Sequence, residues 1–372
     1  MVSSARTLSA VETIGTAPPV PSRLPFLGML RGLAAQVIVL HHLAFYGPLS
    51  DIAYPLAPAL IDALFDYGRF AVQIFFVIGG FLTARSIANH EVLDLKTLAT
   101  IIVRRYQRTG FPYLVTLMIA VGANALADRW MDHESISLPP TIGSALAHVF
   151  FLQDVLDYPA ITAGVWYLAI DFQLVLLTYL VAAASLWLAR RLRQFGPVRA
   201  LVLMQAVFGA LAIASLFWLN RDPELDMWAL YFFGSYFLGM ALHWTLAREL
   251  PRPLFWAYAA LVGAALAVDW RPRLLVALGV TLLIFAMAKL RLLDRWPKSR
   301  IVEYLGRTSF SLFLIHFPVC LVVNAWLSRW QLTPAGAMWG MLAAYLLSQI
   351  AGAGFYQAVE APCLNLRRRQ TT

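Results

Sequence analysis

Residues 24–47 read LPFLGMLRGLAAQVIVLHHLAFYG, an apolar stretch long enough to cross a bilayer as one helix, since about 20 residues are needed. It contains a cation, Arg31, and a titratable imidazole, His42, eleven positions apart. At about 100° and 1.5 Å per residue, both side chains project from nearly the same helical face, about 16 Å apart along the axis. His41 points about 100° away from His42. The stretch predicts a membrane-spanning helix with a polar path along one face, and it favours His42 as the working histidine.

Arg31 and His42 each have a structural and a functional interpretation. A central arginine costs about 2.5–3.5 kcal/mol in hydrocarbon on insertion scales, so Arg31 could simply snorkel to the inner interface. His42 could make a hydrogen bond between helices. The functional hypothesis is that Arg31 anchors phosphate or carboxylate, because its planar guanidinium suits such anions. His42 would then be a general base, because imidazole titrates near neutral pH.

The whole chain has the composition of a membrane protein. Of its 372 residues 60% are hydrophobic and 13% are charged, with a mean hydropathy of +0.68, whereas soluble domains carry about 25% charged residues. The sequence therefore predicts an all-α, polytopic integral membrane protein with about ten spans. The predicted spans are residues 26–46, 69–88, 110–127, 166–189, 199–219, 228–247, 254–269, 274–290, 306–327 and 335–358. The apolar segment 141–154 is too short to span, which indicates an interfacial or re-entrant helix.

The distribution of basic residues predicts the orientation. If the N-terminus is cytoplasmic, 23 Lys and Arg residues fall on the inner side and 6 on the outer side, as the positive-inside rule requires. Both termini are then cytoplasmic, and residues 128–165 face outward. The net charge of +9 is explained by this topology, so we expect membrane lipids as partners and no nucleic acid.

Several remaining features bound the possible chemistry. Residues 1–22 are polar and do not resemble a secretory signal, so they are predicted to be a disordered cytoplasmic tail. Cys320 and Cys363 lie far apart and are interpreted as free thiols. No HxxxH motif or Cys/His cluster has ligand spacing, so no metal site is expected.

Arginines and a carboxylate mark further candidate positions. Arg105 and Arg108, in IIVRRYQRTGFPYL, are neighbours on one helical face; they could bind lipid headgroups or a polyphosphate ligand from the cytoplasm. Asp171 lies inside the fourth span with Gln173 two residues later. A carboxylate at that depth is usually paired and functional, and its possible partners are His42 or a substrate hydroxyl.

Two other segments carry polar residues within apolar helices. YLGRTSFSLFLIHFPV contains Ser309, Ser311 and His316, which could be explained by serine bonding back to the helix backbone and a structural histidine. Glu360 lies at the inner end of the last span and could pair with an inner arginine. The Gly79–Gly80 pair is typical of close helix packing in membranes.

Together these motifs resemble the membrane-bound acyltransferase family 3, the bacterial glycan O-acetyltransferases, from about residue 24 to 369. The resemblance lies in six elements, in the family order. They are the basic residue and histidine at Arg31 and His42, FFVIGGFL, the R-x-x-R at Arg105 and Arg108, the block Trp166, Leu168, Asp171 and Gln173, the late helix with Ser309, Ser311 and His316, and the closing Glu360, Ala361 and Pro362.

The resemblance implies an activity and a place for each residue. It implies transfer of an acyl group, most often acetyl, from cytoplasmic acyl-CoA (acetyl-CoA) to a hydroxyl of a cell-surface or exported glycan or lipid-linked oligosaccharide, at the bacterial inner membrane. Acyl-CoA is then a donor substrate, with no bound cofactor. Arg31, Arg105 and Arg108 would bind the donor. His42 would be base or acyl acceptor, and Asp171 would orient it, as an acid does in catalytic triads.

The resemblance also bounds the domain organisation. Residues 23–369 form the acyltransferase domain, and the chain ends just after the tenth predicted span, so no SGNH hydrolase-like domain is expected. Gln173, Ser309, Ser311, His316 and Glu360 would support the site. The rival hypothesis is a transporter or flippase for an anionic lipid-linked substrate, which would use the same buried Arg, His and Asp as a relay.

Overall fold

A computed structural model of the chain describes residues 24–90, 93–191, 197–296 and 299–364. Within these ranges the chain forms fourteen α-helices and no strand, which confirms the prediction of an all-α protein. The predicted tail, residues 1–22, lies outside the described residues. In chain order the helices are α1 Pro25–Phe45, α2 Leu49–Ala53, α3 Pro58–Tyr67, α4 Val72–Ile87, α5 Leu95–Ala127, α6 Ile142–Val149, α7 Val165–Arg191, α8 Pro197–Phe217, α9 Ala229–Leu246, α10 Arg252–Val268, α11 Pro272–Lys289, α12 Leu292–Arg295, α13 Arg300–Leu327 and α14 Pro334–Phe355.

Eight helical segments in the described ranges are long and apolar enough to cross a membrane, which confirms a multi-pass membrane protein. The other two predicted spans correspond to α9 and α10, of 18 and 17 residues. The number of ten spans and the cytoplasmic position of both ends stay predictions. The eight segments are Pro25–Phe45, Pro58–Ile87, Leu95–Ala127, Val165–Arg191, Arg199–Arg221, Pro272–Lys289, Arg300–Leu327 and Pro334–Leu364.

Helix α9 lies at the centre of the bundle, where 16 of its 18 residues are buried. It packs against α4 at Gly80 and Gly239, where a Cβ atom on either glycine would collide with the backbone of the opposite helix. Small residues permit this close approach in membranes, which confirms the packing role predicted for the Gly79–Gly80 pair. Because neighbouring helices cover α9, it does not need the uniformly apolar surface of a lipid-facing helix.

A second pair of glycines joins α1 to α13. A Cβ on Gly32 would lie 2.9 Å from the carbonyl carbon of Leu305, and a Cβ on Gly306 would lie 2.7 Å from the carbonyl oxygen of Gly28. The two backbones are therefore in direct contact near their N-terminal ends. This contact allows side chains further along both helices to meet.

The predicted re-entrant segment forms a short helix, α6, of eight residues. Its end is held by α5, because the Tyr106 hydroxyl donates a 2.9 Å hydrogen bond to the carbonyl of Val149. Phe151, just after α6, is buried and stacks on Tyr113 of α5 and Phe172 of α7, with ring centroids 4.9 and 5.0 Å away. The segment therefore enters the bundle between α5 and α7.

The predicted orientation can be tested by cysteine labelling with a membrane-impermeant thiol reagent on intact cells. In a background lacking Cys320 and Cys363, cysteines replacing Asp132 and Asp157 are expected to label, because the basic residues place this loop outside. A cysteine replacing Gln194 is expected to label only after permeabilisation. If only the Gln194 variant is labelled in intact cells, the orientation is the opposite of the predicted one.

Candidate active site

One cavity of about 670 Å³ lies among α1, α4, α5, α7, α13 and the end of the chain. This size is typical of a small-molecule site. Six of the ten predicted site residues line it, although they come from five separate stretches of sequence. They are Arg31, Arg105, Arg108, Asp171, Ser309 and Glu360.

The helical repeat explains how one face of α7, which includes Asp171, lines the cavity. Leu168, Asp171, Val175 and Tyr179 all line it, at spacings of three and four residues that place them on one face of a helix. Across the cavity, α5 contributes Arg105 together with its neighbours one turn away. Arg105 and Arg108, predicted to be neighbours on one helical face, both line the cavity.

Asp171 and Arg105 form an ion pair across the cavity, with the Arg105 Nη2 donating to the Asp171 Oδ2. Their side chains are 28% and 14% exposed, and the Nε of Arg105 is buried without a partner among the described residues. The structure therefore gives Asp171 a partner that the sequence did not predict, since the expected partners were His42 or a substrate hydroxyl. A buried carboxylate gains more from a permanent cation than from a neutral imidazole, because an uncompensated charge is costly.

Glu360 lies at the opposite side of the cavity, in a π-helical turn that spans Tyr356–Glu360. Such turns are often found at functional sites. The Ser311 hydroxyl donates a 2.5 Å hydrogen bond to the Glu360 carboxylate. Glu360 lines the cavity together with Arg31 and Arg108. The Nε of Arg31 is buried and has no hydrogen-bond partner within the described ranges.

His42 does not line the cavity but pairs with His316, which is fully buried on α13. The His42 Nδ1 lies 2.6 Å from the His316 Nε2, and the two rings are tilted by only 11°. The His316 Nδ1 lies 3.0 Å from the carbonyl oxygen of Leu312. A carbonyl only accepts hydrogen bonds, so the His316 Nδ1 donates and its Nε2 accepts from His42. When both imidazoles are neutral, the Nε2 of His42 keeps a free lone pair.

His41 has a structural role that distinguishes it from its neighbour. Its Nδ1 donates a 2.9 Å hydrogen bond to the carbonyl of Leu64, in the last turn of α3. Gly68 packs against the same side chain, since a Cβ there would lie 2.7 Å from that of His41. His41 therefore fastens α3 to α1.

Gln173 and Ser309 both bond to backbone groups, Gln173 outside its own helix and Ser309 within it. The Gln173 side chain donates to the carbonyl of Met227 and accepts from the backbone amide of Ala229, so it holds the start of α9. The Ser309 hydroxyl donates a 3.0 Å hydrogen bond to the carbonyl of Gly306, which is the backbone bonding expected of a serine in a membrane helix.

Sequence reasoning did not identify three aromatic rings at the end of the cavity, Phe75, Tyr167 and Phe313. Phe75 and Tyr167 belong to motifs that the sequence analysis singled out, FFVIGGFL and WYLAIDFQ. Aromatic residues are so frequent in the chain, at 13%, that no pattern distinguishes these three from packing residues. The three rings are distinguished by their position in the structure, where they line the cavity between helices.

The chain matches a protein family and is similar to characterised proteins. The family model for the acyltransferase 3 domain, described as "Acyltransferase domain", matches residues 24–353. Acyltransferase MdmB of Streptomyces mycarofaciens is 27% identical over 95% of each chain. The regulator of hypoxia-inducible factor 1 of Caenorhabditis elegans is 24% identical over 94% of this chain and 82% of its own length. No solved structure gives a significant match.

The family match covers nearly the whole chain and identifies an enzyme, whereas the rival hypothesis was a transporter. The chain therefore belongs to the acyltransferase 3 family and is a membrane-bound O-acyltransferase.

Proposed function

We propose that this enzyme transfers an acyl group, acetyl in the simplest case, from cytoplasmic acyl-CoA to a hydroxyl of a cell-surface or exported glycan at the bacterial inner membrane. The observation that carries the proposal is the cavity that unites Arg31, Arg105 and Arg108. These arginines come from helices whose N-terminal ends are predicted to be cytoplasmic. The cavity would therefore receive a donor from the side where acyl-CoA is made.

The arginines suit the phosphates of the donor. Guanidinium groups bind phosphate through paired, charge-assisted hydrogen bonds. Arg31 and Arg105 each have a buried Nε without a partner in the described part of the chain, so donor groups remain for an anion. Asp171 fixes the Arg105 guanidinium through one nitrogen, and Arg105 lines the cavity.

His42 suits the base that activates the acceptor. Its Nε2 would take the proton of the acceptor hydroxyl while that oxygen attacks the thioester carbonyl. When the tetrahedral intermediate collapses, the carbon–sulfur bond breaks, and the proton on Nε2 passes to the leaving thiolate of CoA. The products are an ester and free CoA, so the balance needs no other reactant. His316 supports this role because it holds the Nδ1 proton of His42.

A glycan acceptor is supported by the outer loop that precedes α7. Trp130 lies there under the guanidinium of Arg329, 5.8 Å from the ring centroid. Tyr46 and Phe317 connect this region to the histidine, because both rings pack edge-on against His42 at 5.5 and 6.1 Å. Aromatic faces of this kind suit the apolar faces of sugar rings.

The donor site predicts a specific kinetic effect of arginine substitutions. Arg105→Ala and Arg108→Ala are expected to raise the KM for acyl-CoA by roughly ten- to a hundred-fold, because each lost charge-assisted bond costs about 1.5–3 kcal/mol. Lysine should rescue partly, because it lacks the planar fork. The measurement is transfer from radiolabelled acetyl-CoA to membrane glycan by purified enzyme at varied donor concentration.

The matched control is Arg190→Ala, an arginine of α7 whose Nε bonds to its own helix at Leu186 and which does not line the cavity. It should leave the KM unchanged. If the Arg105→Ala and Arg108→Ala enzymes bind the donor like the unmodified enzyme, these arginines only determine the membrane orientation, and the proposed donor site is wrong.

A further inference from the structure

Three aromatic rings from three helices close the end of the donor cavity. They are Phe75 of α4, Tyr167 of α7 and Phe313 of α13, and each ring contacts the other two. The centroids of Phe75 and Tyr167 are 5.6 Å apart, those of Phe75 and Phe313 6.1 Å, and those of Tyr167 and Phe313 5.4 Å. All three line the cavity, whereas His42 and His316 do not. We refer to these three residues as the ring layer.

Phe313 lies between the cavity and the histidine pair. Its ring centroid is 6.2 Å from that of His316. Gly164, which has a φ of +81°, lies against both the ring and the base. A Cβ there would lie 3.4 Å from Cζ of Phe313 and 3.6 Å from Cε1 of His42. A single ring therefore separates the cavity that holds the arginines from the base.

This position has a consequence for the donor. The proposed phosphate ligand Arg31 and the base His42 are separated by about 16 Å along α1, so the arm of the donor has to extend over this distance. Because Phe313 lies between the cavity and His42, the acyl end of the donor has to pass the ring layer before the thioester carbonyl reaches His42. The side chains that the acyl group contacts are then aromatic and closely packed.

We propose that the ring layer is the acyl-binding passage of the enzyme and that Phe313 limits the length of the acyl chain. This inference rests on the proposed acyl-CoA donor. A tightly packed apolar passage discriminates by size, since one methylene more or less changes the specificity constant by roughly ten- to two-hundred-fold. A short acyl chain requires only a small displacement of the rings, whereas a longer chain has to displace Phe313 over its whole length.

The chain offers a matched control next to the ring layer. Phe76 follows Phe75 on α4 and also contacts Tyr167, with centroids 5.1 Å apart. It is fully buried, stacks on Phe232 and does not line the cavity. A change at Phe76 therefore disturbs the packing of the same helices without removing a side chain that lines the passage.

The experiment compares kcat/KM for acetyl-, butanoyl- and hexanoyl-CoA in the unmodified enzyme and in Phe313→Leu, Phe313→Ala and Phe76→Ala. The unmodified enzyme should prefer acetyl over butanoyl by at least about ten-fold. Phe313→Leu should reduce this preference, and Phe313→Ala should reduce it by about ten-fold or more. Phe76→Ala should lower activity with all three donors in parallel and keep the ratio.

The outcomes separate this inference from the function on which it rests. If the unmodified enzyme uses none of the three donors, the proposed donor is wrong. If it uses acetyl-CoA but Phe313→Leu and Phe313→Ala keep the original ratio, the donor stands and the ring layer does not select the acyl group. Phe313→Leu retains an apolar side chain at the site, and size-exclusion chromatography in detergent verifies that each variant is folded.

Discussion

His42→Ala is expected to reduce acyl transfer by about 10²–10⁴-fold, the usual contribution of a positioned general base. Its imidazole is buried against His316, and its Nε2 keeps the lone pair that a base requires. Membrane insertion should not change, because alanine is an excellent helix former and α1 keeps its glycine contact with α13. The measurement is acetylation of the cell-surface glycan in a deletion strain complemented with each variant, alongside the amount of protein in the membrane.

His41→Ala is the matched control for this prediction. It removes a neighbouring imidazole whose Nδ1 bonds to the backbone of α3 at Leu64. We expect lower thermal stability and a much smaller loss of activity. Equal loss in both variants, or full activity in the His42→Ala enzyme, would contradict the assignment.

The same residue can also distinguish the two chemical routes. If His42 acts as a base, no acyl-enzyme accumulates. If it accepts the acyl group, rapid quenching of enzyme with radiolabelled acetyl-CoA in the absence of acceptor should leave label on the protein, and His42→Ala should abolish it. The free Nε2 is compatible with either route, so the proposal of a base depends on the absence of that label.

Sequence reasoning reached the fold because hydrophobic length is a local property. Each long apolar run can be recognised without knowing its neighbours, and most helices begin and end close to the predicted spans. Helix α5 is an exception, because it begins at Leu95 whereas the predicted span begins at residue 110. Helix α9 shows the limit of this approach. It lies inside the bundle, where 16 of its 18 residues are covered by protein. Its composition is therefore suited to contacts with neighbouring helices rather than with lipid.

Six of the ten predicted site residues line one cavity, whereas the partner of each side chain could not be predicted from the sequence. Helical periodicity correctly grouped Arg105 with Arg108, because both belong to one helix. The same periodicity placed Arg31 and His42 on one helical face. In the structure Arg31 lines the cavity and His42 does not, because Phe313 of α13 lies between the cavity and His42. Asp171 was assigned to His42, but its partner is Arg105. Contacts between helices depend on the packing of the whole bundle, which spacing within one helix does not specify.

His316 provides the second large expected effect, because it sets which nitrogen of His42 is free. The backbone carbonyl of Leu312 requires a proton on the His316 Nδ1, so the His316 Nε2 has to accept from the Nδ1 of His42. His316→Leu removes this acceptor and leaves the buried Nδ1–H of His42 without a partner. The alternative tautomer, with its proton on Nε2, then competes, and it cannot act as a base from that atom.

We expect His316→Leu to lower kcat by about 10²–10⁴-fold, since stabilising the wrong tautomer of a catalytic histidine costs about 10⁴-fold in serine proteases. The KM for acyl-CoA should change less than about three-fold, because His316 does not line the donor cavity. A purely structural role for His316 would instead reduce the amount of folded protein and leave the kcat of the remaining enzyme unchanged.

His316→Gln is the conservative variant that tests the mechanism. The glutamine amide carries a donor and an acceptor, so its NH₂ can bond to the Leu312 carbonyl while its oxygen accepts from the Nδ1 of His42. We therefore expect this variant to recover most of the kcat that His316→Leu loses. If leucine and glutamine at this position give equally low kcat in folded enzyme, the tautomer argument is wrong. If leucine leaves kcat intact, the histidine pair only packs α1 against α13, and the base keeps its orientation without it.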